Sequence, residues 1–107
     1  MVRTRAVGCL HNLSTDNVSL LIIREAGCLP ALVSCLRDGS SDICHAAAGA
    51  LQNMSRENAS RELLAQSDAV PLLTDLLLSS DVRCQVHIEL RKVISLLIYY
   101  RRLQWVR

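Results

Sequence analysis

The sequence predicts an all-α chain folded as a short solenoid of stacked helical repeats. Three observations predict it: a 41-residue internal period, apolar residues spaced i, i+3, i+4, i+7 between Gly and Pro punctuation, and no alternating strand pattern. Half of the 107 residues are hydrophobic, which is enough for a core. That core has to be aliphatic, because Phe is absent and the only aromatics are Tyr99, Tyr100 and Trp105.

RAVGCLHNLS, Arg5 to Ser14, recurs as AAAGALQNMS, Ala46 to Ser55, and Pro30 recurs as Pro71, all at an offset of 41. Between residues 6–36 and 47–77 ten positions are identical without a gap: Ala6/Ala47, Gly8/Gly49, Leu10/Leu51, Asn12/Asn53, Ser14/Ser55, Asn17/Asn58, Ser19/Ser60, Pro30/Pro71, Leu32/Leu73 and Leu36/Leu77. Two leucine-rich helical segments aligned by chance would rarely bring Gly, Asn, Asn and Pro into register together.

Each period reads as three helices. The first spans about Asn17 to Glu25 and stops at Gly27, which can take the left-handed conformation that closes a helix. The second opens with Pro30, suited to a first turn where a missing N–H costs nothing, and sets Leu29, Leu32, Val33 and Leu36 in one stripe. Residues 37–42 form a turn in which Ser41 or Asp42 can cap the third helix. That helix, Ile43 to Ser55, buries Ala47, Ala50, Leu51 and Met54 and packs closely through small residues. The chain divides into 1–15, the third helix of a truncated unit; 16–56, a complete unit; 57–87, a partial unit; and 88–107, a divergent basic and aromatic segment.

These residues resemble the armadillo repeat family: a short helix, EAGCLPALVSCL (Glu25 to Leu36), a Gly-Ser turn, then AAAGALQNMS. The likeness covers residues 5 to about 80 and implies a right-handed superhelical α-solenoid, here a partial array of about two and a half units. HEAT repeats rank second, since they lack this Gly-x-x-Pro and Ala-Leu-x-Asn-Leu pattern. The family lines a concave groove with its third helices and holds an extended peptide there, an Asn bonding the ligand main chain. By motif position that Asn corresponds to Asn12 and Asn53. The helix-face argument agrees: opposite the apolar stripe lie His45, Gly49, Gln52, Asn53 and Arg56, and in the preceding unit Gly8, His11, Asn12 and Thr15. A carboxamide supplies donor and acceptor together, so it can satisfy an extended backbone without demanding a particular side chain. The competing reading has Asn53 ending its helix or bonding the adjoining loop.

Armadillo proteins that carry nuclear-import signals place Trp four residues before that Asn, whereas Gly8 and Gly49 stand there here. The chain therefore looks more like adaptors of the catenin and plakophilin type, with the Inscuteable type of polarity adaptor a further relative. The resemblance implies a protein-binding scaffold, not an enzyme, for a signalling, polarity or adhesion partner. The alternative is a structural spacer or isoform of a longer solenoid with no binding of its own.

The formal charge of +2 is too small for a nucleic-acid binder, but it is unevenly spread: residues 1–90 carry net −3 and residues 91–107 net +5. Where the small-residue third helix should recur, the chain reads QVHIELRKVISLLIYY, Gln85 to Tyr100. Either a divergent third helix caps the array or an unrelated end replaces it, and the shift in charge, aromatic content and periodicity near Ile88 favours the second. A basic amphipathic tail touching an anionic membrane surface takes more assumptions. Five cysteines among apolar neighbours and no secretory leader predict a reducing, cytoplasmic setting, in which the Asn-x-Ser triplets are repeat positions rather than glycan acceptors. The apolar run Val93 to Tyr100 is far below the ~20 residues of a membrane span. Cys9 with His11, Cys44-His45 and Cys84 with His87 lack the further ligands a zinc site needs, and no catalytic constellation is visible, so no metal, cofactor or catalysis is expected. The start of the chain inside a unit, Val2 matching Ile43, suggests part of a longer array that is marginally stable by itself.

Overall fold

A computed structural model describes residues 2–37, 40–66, 69–78 and 91–99. Among them the elements run α1 (Val2–Leu13), α2 (Asn17–Glu25), α3 (Leu29–Cys35), α4 (Ser41–Met54), α5 (Asn58–Gln66) and α6 (Ala69–Leu78), and residues 91–99 are also helical. No strand occurs among the described residues.

Local chemistry sets the helix ends. Asp16 is extended, and its carboxylate accepts the Ser19 N–H at 3.1 Å, which satisfies one of the unpaired donors at the start of α2. At the other end Gly27 adopts φ 75°, the Cys28 N–H reaches the Ile23 carbonyl at 3.3 Å and the Gly27 N–H reaches Arg24 at 3.0 Å. Those two bonds form a Schellman closure, which only a residue tolerant of positive φ completes without strain. The chain turns by 92° there, and Pro30 sits in the first turn of α3. The cap of α4 differs from the expected Ser41 or Asp42. Ser40 takes the extended cap position, Ser41 is already helical, and Asp42 lies in the first turn, where a carboxylate suits the positive end of the helix.

α4 is the centre of the fold, packed against α1 on one side and α3 on the other. Ala47, Ala48, Ala50, Leu51 and Met54 are all 0% exposed, and Leu29, Leu32 and Leu36 of the second-helix stripe are buried with them. Small side chains along α4 let both neighbours approach it closely. Each large aliphatic contributes ~1.5–3 kcal/mol by leaving water. The core continues through Leu64 of α5 and Leu73 of α6 to Val93, Ile94 and Leu97. Within the divergent 88–107 segment, residues 91–99 are thus helical and pack into the same core as the repeats. Cys84, His87, Tyr100 and Trp105 lie outside the described residues.

Candidate functional site

α1 and α4, which the 41-residue offset makes equivalent, pack against each other. The 41-residue offset gives Gly8, His11 and Asn12 the places in α1 that Gly49, Gln52 and Asn53 hold in α4. Their surroundings are nevertheless different. Asn12 is exposed and Gly8 half-buried, with nothing within 4 Å of where a Cβ would stand. Gly49, expected on the open face, is buried: the His11 imidazole packs directly on it, and any side chain at 49 would collide with that ring. His11 also meets His45 edge to face, ring centroids 6.4 Å apart and planes 82° apart. His11, His45 and Gln52 are half-buried and Arg56 is exposed.

Asn53 is half-buried, and its Nδ2 donates to Ser14 Oγ at 2.9 Å across the α1–α4 seam. Ser14 is 0% exposed and its hydroxyl donates to the His11 carbonyl at 2.6 Å, so a polar side chain at the end of α1 is fully satisfied inside the core. Ser55 repeats the device, bonding the Leu51 carbonyl at 2.7 Å. The two asparagines therefore divide in role. Asn53 spends a donor on holding α1 to α4, while Asn12 presents an exposed carboxamide at the equivalent point.

Guanidinium groups join the units elsewhere. Arg56 Nη2 donates to the Ser14 carbonyl at 3.0 Å and to Thr15 at 3.3 Å, and its Nε donates to Asn53 at 3.2 Å. These carbonyls lie at the C-terminal ends of α1 and α4, where positive charge is favoured. Arg61 does the same for α4, donating from Nη1 to the Ser55 carbonyl at 2.6 Å while also contacting the Asn58 side chain. Arg24 of α2 reaches forward to Glu57 at 2.6 Å, and Glu57 also accepts the Ser60 hydroxyl at 2.7 Å. The Glu57 hydrogen bond raises the Arg24 pKa above its already high ordinary value, an effect that burial opposes and the charges of Glu57 and Glu25 reinforce. The stabilisation from a raised cation is present at all pH below the unfolded value and is lost only as pH rises through the folded one, so Arg24 stays charged across the range in which the protein is handled.

The sequence reading missed these joints. Their signal was present in the identities Ser14/Ser55 and Ser19/Ser60 and the pair Asp16/Glu57, which mark polar positions that must be satisfied in each unit. Within the aligned span the partners Arg24, Arg56 and Arg61 stand opposite Ala65, Thr15 and Leu20, so the identities do not mark them.

Of the cysteine–histidine pairs, Cys44 directs its thiol to the Leu36 carbonyl at 3.5 Å, and Cys9 is exposed. Among the described residues no three His, Cys, Asp or Glu side chains gather where a metal could be held, and no single helix is long and apolar enough to cross a membrane.

No curated protein matches the chain. Residues 17–56 match the family model described as the armadillo/beta-catenin-like repeat, a span that holds α2, α3 and α4 with the Gly27 closure and the α4 seam. Repeats of this kind are generally protein-interaction modules. Residues 17–56 therefore match an armadillo-type repeat, and the helices described on either side of them are consistent with an α-solenoid of a few repeats.

Proposed function

We propose that the chain is an adaptor that binds an extended segment of a partner protein across the adjacent faces of α1 and α4. Asn12 is the principal contact for the ligand main chain, with His45, Gln52 and Arg56 beside it and Asn53 completing the amide row. The observation that carries this reading is the pairing of two third helices whose polar side chains border one another on the face away from the aliphatic stripe. His11, Gly8 and Gly49 shape the surface between them, Gly49 as its floor.

Gly49 also supports the catenin and plakophilin kind of adaptor, serving an adhesion, polarity or signalling partner. With the His11 ring resting on Gly49, this seam has no room for the Trp with which import receptors grip lysine stems. A cytoplasmic setting is part of the same proposal and rests on the five cysteines set among apolar neighbours in the sequence.

Displayed random peptides selected on the full chain supply the probe. Asn12→Ala is expected to weaken a selected peptide by ~0.5–1.5 kcal/mol, the worth of one neutral hydrogen bond, with helicity unchanged. Asn53→Ala is expected to lower stability as well as affinity, because it removes the Ser14 partner. Unchanged affinity in the double variant Asn12→Ala, Asn53→Ala would place binding elsewhere.

A further inference from the structure

We infer that the exposed faces of α2 and of the 91–99 helix fit each other between copies of the chain, so that the protein associates head to tail through a weak antiparallel helix contact. On α2, Val18, Leu21, Ile22 and Glu25 recur at i, i+3, i+4 and i+7 and so form one stripe. Its three aliphatics are exposed at 67%, 45% and 61%, while Leu20 and Ile23 on the other side enter the core. The repeat itself does not call for this stripe. At the 41-residue offset α5 carries Ala59, Glu62, Leu63 and Gln66, so a glutamate fills the place of Leu21 in a helix that buries Leu64 as α2 buries Ile23.

The exposed side of the 91–99 helix supplies the complement. Arg91 and Lys92, then Ser95, then Ile98 with Tyr99 follow one another along it, while Val93, Ile94 and Leu97 are buried. Set antiparallel, the two stripes match group by group. Glu25 meets Arg91 and Lys92, the small Ser95 lies opposite Leu21 and Ile22, and Ile98 and Tyr99 cover Val18. The spacing agrees, since Val18 to Glu25 and Lys92 to Tyr99 are equal steps along a helix, ~10.5 Å. Glu25 contacts Arg24 at 3.4 Å, but its side chain stays 68% exposed and keeps room for a second cation. A parallel arrangement would call on Asp16 instead, whose carboxylate is already held by the Ser19 N–H and hydroxyl. Either face set antiparallel on its own kind would press a bare charge onto aliphatic side chains with no counter-charge. The contact therefore pairs unlike faces, and each copy carries one of each, so it can propagate from copy to copy. α2 is ~13.5 Å long and ~10 Å wide, a footprint on the order of 135 Å² against the ~800 Å² per partner of a stable complex. Association is thus weak and belongs to the ~0.1–1 mM range. It uses neither α1 nor α4, so it does not depend on the Asn12 reading.

The test is carbodiimide cross-linking of the full chain at ~1 mM, on an equal mixture of unlabelled and isotope-labelled protein, with sedimentation run alongside. Lys92 is the chain's only lysine, so an amide joining Lys92 of a light copy to Glu25 of a heavy one reports the contact directly. That mixed cross-link is expected, together with an average mass that rises with concentration. Leu21→Glu, which copies α5, is expected to leave the thermal midpoint unchanged and to cut the mixed cross-link by ~tenfold or more. Glu25→Lys, and separately the double variant Arg91→Glu, Lys92→Glu, are each expected to sediment as monomers. Mixed together they are expected to associate again, because each then offers the face that the other lacks, and this rescue separates a charge-matched contact from a folding defect. A chain that stays monomeric at ~1 mM without a mixed cross-link overturns the inference. So do cross-links confined to single copies, a mixed cross-link indifferent to Leu21→Glu, or reversed variants that fail to associate when combined.

Discussion

Gly8 and Gly49 hold equivalent places at the 41-residue offset, yet one looks onto open space and the other lies under an imidazole. The difference predicts opposite responses to the same change. Gly8→Ala removes backbone freedom from the unfolded chain at a helical position with no steric obstacle, and is expected to stabilise by ~0.5–1 kcal/mol in chemical denaturation. Gly49→Ala must displace the His11 ring and is expected to give less, or a net loss. Its deficit is expected to shrink in a His11→Ala background by ~0.5 kcal/mol or more, the coupling of residues in contact. Equal effects at the two glycines would mean that the ring yields without cost. The sequence shows both glycines and both asparagines but not this asymmetry. An offset reports which positions are equivalent along the chain, whereas the His11 ring on Gly49 and the Ser14 hydroxyl on Asn53 come from a helix some forty residues away.

At the scale of the helix the apolar period was sufficient. The expected bounds of α2, the Pro30 start of α3 and the α4 stripe at Ala47, Ala50, Leu51 and Met54 all follow from spacing and punctuation, because burial of one face is what selects a helix in this context. Leu51→Ala is expected to cost ~2–5 kcal/mol, since its side chain is fully buried in the core cluster. A loss below ~0.5 kcal/mol would remove Leu51 from the core. Gly27→Ala tests the stop of α2 rather than its packing. Nothing lies within 4 Å of the added methyl, so the expected loss of ~1–2 kcal/mol comes from backbone conformation alone, and a neutral result would show that the turn relaxes to negative φ. The cap of α4 was less legible. Ser40, Ser41 and Asp42 are all competent cap residues, and local chemistry does not choose among neighbours.

For the molecule as a whole, the stretch 91–99 was the hardest to place. Charge and aromatic content separate it from the repeats, but those features lie on exposed residues such as Arg91, Lys92 and Tyr99, while Val93, Ile94 and Leu97 carry the burial. Composition reported the solvent side of this helix and hid its core side. Leu97→Ala is expected to cost ~2–5 kcal/mol and to lower a single unfolding transition shared with the repeats. Two separate transitions would show that the stretch folds apart from them. The cross-unit charged contacts at Arg24, Arg56 and Arg61 have one more consequence for the intact protein. Lys92, exposed on the 91–99 helix, is the chain's only lysine, so acetylation or amine-directed coupling at lysine leaves every one of these seams chemically untouched. Arginine methylation acts the other way: it keeps the charge but blocks the hydrogen bonds, and so would loosen the stack while leaving each helix intact.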